Sequence, residues 1–267
     1  MSAPLAPLSR WNTYSRSRYS RLWDGVVGAW CPSLGITGSR LFDAAPGANW
    51  GTLTNMDPAT DWVVDDGQLC LDFDGSNDYV NLGRPNQIDG IVDNFTLSIW
   101  CKLASVSGLR NMIGKATGLG QFGIMTVGAD WSVQVNDGVG LNVSGSTLTT
   151  GIWYFLSYTL KAGLVSVYTD GKLVNTSNRT TSLVATDLTI AADVTNGRYF
   201  AGQIDDFQFR NRALNASEML QLYRLGRGGI YQPAYRPAYY MEPDAGGGGV
   251  ANPVLFHSYY MSQGMRP

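Results

Sequence analysis

LCLDFDGSNDYVNL, residues Leu69–Leu82, decides the fold. Leu69, Leu71 and Phe73 alternate with Cys70, Asp72 and Asp74, the two-residue period of a strand with one apolar and one polar face. Asp74-Gly75-Ser76-Asn77-Asp78 is turn-forming, and Tyr79-Val80-Asn81-Leu82 resumes the alternation, so the stretch predicts a hairpin. Outward from it the same period returns in Phe95-Thr96-Leu97-Ser98-Ile99-Trp100, in Val133-Gln134-Val135 and in Val165–Thr169, which runs into the turn pair Asp170-Gly171. Short alternating strands between Gly, Asp, Asn and Ser clusters, from Gly25 to Gly226, predict an all-β, two-sheet antiparallel sandwich. Trp100, Trp153 and Phe207 are its expected core aromatics.

One segment reads as helix. Asn215 can cap it, Glu218 stands three residues on to close a capping box, Leu214 and Met219 occupy the staple positions, and Gly226 stops it. The expectation is therefore one short helix after the last strand.

Composition narrows the chemistry. Of 21 acidic residues in the 267-residue chain, only Glu218 and Glu242 are glutamates, and the 19 basic residues include only four lysines. Aspartate favours turns and caps, so few long helices are expected. A net charge of −2 gives no general attraction to nucleic acid. No run approaches the ~18 apolar residues of a membrane helix, so no membrane insertion is expected. Cys31, Cys70 and Cys101 are widely spaced and odd in number, which predicts reduced core thiols. The first residues show no signal-peptide apolar core, which predicts synthesis in a cytoplasm.

The ends read differently from the middle. Residues 1–24 mix arginines with Trp11, Tyr14 and Tyr19, too few cations to favour a nucleic-acid arm over a protein-packing one. Residues 227–267 are rich in Pro, Gly and Tyr without periodicity. Tyr231, Tyr235, Tyr239, Tyr240, Phe256, Tyr259 and Tyr260 give this segment more aromatic surface than a solvated tail keeps. Three regions are expected: an N-terminal arm (1–24), a sandwich (25–226) and a C-terminal arm (227–267), with the arm aromatics meeting other subunits.

Several stretches resemble the laminin-G-like, concanavalin-type jelly-roll family. Leu69–Gly83 is similar to its L-x-F-D-G-x-D-D-Y-V segment, Phe95–Leu103 to its F-T-x-x-x-W-V strand, and Gly151–Leu160 and Val165–Val174 to two further strands. Phe200–Tyr223 resembles its closing F-x-G-x-I-D-D segment, and Asp43–Leu53 its early glycine-rich loop, with Trp50 where histidine is common. The resemblance implies a jelly roll and a structural calcium ion near the FDG loop and the IDD strand, with Asp74, Asp78, Asp205 and Asp206 as candidate ligands.

Function follows less directly. Glucanases on this fold set alternate carboxylates along one strand, and no such strand of glutamates is present here, so no catalytic residues and no enzyme are expected. Glycan binding would use exposed aromatics, and Trp50, Trp62, Trp131 and Tyr199 are the candidates outside clear strands, each with the alternative of anchoring a loop in the core. The reading favoured by the sequence is a non-enzymatic structural or decoration component of a phage or virus particle, displayed from a capsid or tail by its arms and able to meet cell-surface glycans. The alternative is a free, extracellular carbohydrate-binding module.

Overall fold

The structure is a computed structural model that describes residues 20–115, 122–135, 142–179 and 186–231, together with the backbone of 239–240 and 254–255. In chain order the first strands are β1 (Val26–Trp30), β2 (Arg40–Leu41), β3 (Gly51–Thr54), β4 (Trp62–Asp65), β5 (Gln68–Asp74), β6 (Tyr79–Asn81), β7 (Phe95–Leu103), β8 (Leu109–Lys115) and β9 (Phe122–Val127). There follow β10 (Asp130–Val135), β11 (Asn142–Thr147), β12 (Trp153–Lys161), β13 (Leu164–Thr169), β14 (Lys172–Asn178), β15 (Thr189–Ile190), β16 (Ala192–Asp193), β17 (Arg198–Tyr199) and β18 (Ala201–Arg210). Helices are α1 (Ser20–Trp23), α2 (Asn86–Asp89) and α3 (Ala216–Leu225).

Sheet I runs β14-β13-β12-β7-β18-β5-β4, with β1 also on β18; sheet II runs β11-β10-β9-β8-β15-β6-β3-β2, with β16 and β17 at its flank. The pairings are antiparallel apart from the contact of β17 with β8. This is the expected two-sheet antiparallel sandwich, consistent with a jelly roll. The hairpin expected over Leu69–Leu82 is a correction: β5 pairs with β18 and β4 in sheet I and β6 with β15 and β3 in sheet II, so the Asp74–Asp78 turn crosses from one sheet to the other.

Register shows why the sheets pack. Across sheet II the partners Leu53, Val80, Ile190, Ile113, Ile124, Val133 and Val143 make one continuous apolar row. All seven are buried in the core between the sheets. One residue along, the partners are Arg40, Thr52, Asn81, Thr189, Gly114, Gly123 and Gln134, polar or glycine throughout. A slip of one residue would exchange the two rows, so burial of the first fixes the register.

Sheet I carries a second, smaller core on its outer side. Trp100, Phe155 and Tyr168 project from the sheet, and Leu22, Trp23, Cys31, Ala44, Met219, Leu222, Ile230 and Tyr231 close over them. The expected core aromatics therefore divide: Phe207 stacks on Trp30 between the sheets at 5.1 Å, and Trp100 stacks on Tyr223 of α3 at 5.8 Å. Trp153 is only half-buried, with the Arg227 guanidinium 3.9 Å above its ring. The three cysteines are free and buried.

Helix α3 forms as its sequence predicts. The Asn215 side chain accepts from the Ser217 and Glu218 amides, both at 3.0 Å, and Glu218 Oε2 accepts from Asn215 N–H at 2.9 Å. Leu214 and Met219 are both buried beneath it. The turn pair Asp170-Gly171 also holds, with φ of 51° and 72°.

The expected boundaries at 24/25 and 226/227 fall inside the packed unit. Arg210 Nε donates to Leu22 C=O at 3.0 Å, and Tyr231 O–H donates to Asp206 Oδ1 at 3.0 Å. Tyr231 is thus a correction: it is core, not a partner-facing arm residue, because the strap after α3 returns to cover sheet I. Trp11, Tyr14, Tyr19, Tyr235, Phe256, Tyr259 and Tyr260 lie outside the described residues. Tyr239–Tyr240 (β19) pairs antiparallel with Val254–Leu255 (β20) in a second unit that starts at Pro233. No helix among the described residues is long and apolar enough to cross a membrane.

Candidate functional site

The four aspartates expected around calcium do not come together. Asp74 closes its own turn, accepting from Ser76 N–H at 2.7 Å and Asn77 N–H at 3.3 Å, while Asp78 accepts from Asp74 N–H at 3.1 Å. Asp205 and Asp206 are buried beneath the strap. Ala201 is the register partner of Asp74, so Asp205 stands four residues further along β18, about 13 Å at strand rise. Among the described residues no three His, Cys, Asp or Glu side chains converge in one cluster. The four carboxyls named for the ion therefore do not form one site.

What Asp205 and Asp206 do is structural. A bulge in β18 at Asp205–Gln208, with Asp206 at φ 46°, turns their carboxyls into the second core. Asp206 accepts from Gln208 Nε2 at 2.6 Å, Tyr231 O–H at 3.0 Å and Gly228 N–H at 3.2 Å. Asp205 Oδ1 accepts from Asp206 N–H at 2.8 Å and Ser33 N–H at 3.3 Å. Burial, reinforced by the neighbouring Asp206, pushes the Asp205 carboxyl up to about 7. Arg210, likewise buried, is brought down to about 10 by loss of solvent and donates Nη2 to Gln208 Oε1.

The open polar surface lies on the other sheet. Trp50, Thr52, Thr54, Asn81, Leu82 and Gly83 line a cleft of about 360 Å³ on the outer side of sheet II. Trp50 is 43% exposed and stands edge-on to Phe42 at 5.1 Å. The Asn81 amide is held from both ends: Oδ1 accepts from Gly83 N–H at 2.7 Å and Nδ2 donates to Asp187 Oδ2 at 3.0 Å. An exposed indole beside hydroxyls and a fixed planar amide can offer a polyhydroxylated ring both an apolar face and directed hydrogen bonds.

The sequence profile of the laminin-G-type branch of the concanavalin A-like lectin/glucanases superfamily matches residues 74–219, more than half of the chain. The chain belongs to this family. A search of curated proteins finds no match. Among solved structures, a Trypanosoma rangeli sialidase in complex with sialic acid is similar at 18% identity and TM-score 0.58, over 75% of this chain and 33% of that one. The same enzyme with 2,3-difluorosialic acid reaches TM-score 0.62 at 16% identity, over 82% and 38%. The binding domain of Paraclostridial Mosquitocidal Protein 1 gives 0.59 at 15%, over 76% and 52%. The chain thus spans about a third of the sialidase and half of the toxin binding-domain chain. At these identities the likeness is one of fold.

Of the aromatics proposed for glycans on this lectin fold, Trp50 alone lines the cleft. Trp131 is on β10, not a loop; it is fully buried under Gly145, and its Nε1–H donates to Thr169 Oγ1 at 3.0 Å. Trp62 is buried on β4, with Nε1–H donating to Gly38 C=O at 3.0 Å. Both are corrections: their apolar faces pack the core and their one polar atom is satisfied. Tyr199 is half-buried on β17, its C=O accepting from Arg110, and does not line the cleft. Sequence reasoning missed Thr52, Thr54 and Asn81. Polar residues alternating on a strand carry no mark of the cleft they line, and only their placement beside Trp50 reveals it.

Proposed function

We propose that the protein is a non-enzymatic, carbohydrate-binding module that takes a saccharide in the Trp50 cleft. The observation that carries this reading is the half-exposed Trp50 indole beside the fixed Asn81 amide. A pyranose laid on the indole would bring its hydroxyls to Thr52, Thr54, Asn81 and the Gly83 backbone. Membership of a lectin and glucanase superfamily supports the class of ligand. Glu218, one of the two glutamates, is engaged in the cap of α3 and in an ion pair with Arg212 at 3.0 Å. Calorimetric titration against a panel of neutral and acidic oligosaccharides tests the reading. At least one should bind to wild type and lose at least tenfold in affinity with Trp50→Ala; a panel with no binder, or equal binding by the variant, would reject it.

We extend the proposal to a component of a phage or virus particle, carried by its terminal segments. In support, Trp23 and Tyr231, near the two ends of the described sandwich, meet at 5.4 Å on the outer side of sheet I. Removing both segments should leave saccharide binding intact and abolish incorporation into a particle.

A further inference from the structure

We infer that Asp43 is the positioning residue of the Trp50 cleft, its buried carboxylate folding the turn that carries the indole. The carboxylate is 1% exposed and makes four hydrogen bonds. Oδ1 accepts from Ala29 N–H and Ala45 N–H, both at 2.8 Å. Oδ2 accepts from Asn49 N–H at 2.9 Å and Asn49 Nδ2 at 3.3 Å. One oxygen therefore fixes the start of the turn to strand β1, and the other draws its end, the residue before Trp50, back to the same point.

A second anchor reaches the same peptide from the core. The Nε1–H of Trp30 donates to Asn49 C=O at 2.7 Å, and Trp30 is fully buried and stacked on Phe207. Asn49 is thus tied at its N–H by Asp43 and at its C=O by Trp30. Between Asp43 and Asn49 the chain passes through Ala48 at φ 48°, a left-handed conformation that a non-glycine residue keeps only where its surroundings impose it. Phe42, next to Asp43, stands edge-on against the indole. A platform held this way does not have to be ordered when a ligand arrives; freeing one large side chain should weaken binding roughly two- to tenfold.

The affinity arm of this inference rests on the carbohydrate-binding reading, but the positioning itself is readable without ligand. In the full chain carrying 5-fluorotryptophan, the Trp50 fluorine resonance is assigned by its loss in Trp50→Phe, among eight tryptophans. Wild type should give one narrow Trp50 line. Asp43→Asn, which sets an amide N–H against the Asn49 donors, should broaden or split that line while the Trp131 and Trp62 lines stay, and should weaken saccharide binding two- to tenfold. Asn49→Ala, a milder change that removes only the side-chain bonds to Asp43 and Gln87, should move the Trp50 line in the same direction and decides the matter if Asp43→Asn does not fold. A narrow, unmoved Trp50 line in the folded variants would overturn the inference. A mobilised Trp50 in a protein whose wild type binds no saccharide would uphold the positioning and reject the carbohydrate reading.

Discussion

The two outer faces of the sandwich start from the same pattern and end in opposite states. On sheet I the outward row Tyr168, Ser157, Ser98 and Gln208 is as polar as the outward row Arg40, Thr52 and Asn81 of sheet II. The first is buried, with Ser157 Oγ against Met219 Sδ of α3 at 3.0 Å. The second borders an open cleft. The difference is that, among the described residues, sheet I is roofed by segments before β1 and after β18, whereas the Trp50 edge of sheet II is not. Similarly polar strand chemistry becomes internal support on one face and, in the proposed reading, a ligand surface on the other.

That contrast predicts graded effects. The largest belongs to the roofed face: Arg210→Met removes the cation beside Asp206 and leaves Leu22 C=O and Gln208 Oε1 without their donor. Unfolding in urea should show a loss of about 3–5 kcal/mol, the range for breaking a buried charge network from one side. A loss below about 1 kcal/mol would mean that the roof does not depend on these charges.

The pH dependence has a definite sign. Asp205 binds its proton more tightly folded, at about 7, than unfolded, near the ordinary 3.8. Its contribution to stability is therefore greatest at low pH, declines as pH rises from about 4 to about 7, and is flat above. Asp205→Asn should remove that decline, giving a variant more stable than wild type above pH 7 and matched to it near pH 4. Melting temperatures across this window check the point.

Smaller still is the cap of the roof. Asn215→Ala should cost about 0.5–2 kcal/mol by unsatisfying the first amides of α3. On the open face Trp50→Ala should change stability by less than about 0.5 kcal/mol, as surface changes do. Denaturation midpoints rank the three variants.

Much of the fold was legible in the residues. Alternation in Leu69–Leu82 and Phe95–Trp100 reports which side of a strand faces the core, and the Asn215–Glu218 box is a local device needing no tertiary partner. What covers an outer face is non-local. Asp205 and Asp206 read as ion ligands because nothing in IDD announces that a strap 22 to 25 residues later will donate Gly228 N–H and Tyr231 O–H to Asp206. Trp131 read as a loop aromatic because the brief alternation after it gave no hint that Gly145, on the neighbouring strand, leaves room for its ring. Asp43 was legible only as part of a turn, since its partner Ala29 lies on β1, 14 residues earlier.

The most direct test is to follow backbone amide resonances while titrating a saccharide that the panel selects. Shifts should concentrate at Trp50, Thr52, Thr54, Asn81 and Gly83, leaving the amides of Asp205 to Arg210 and Gly228 to Tyr231 in place. Shifts centred on the roofed face of sheet I, with the Trp50 cleft unmoved, would contradict the assignment of ligand surface and support to the two sheets.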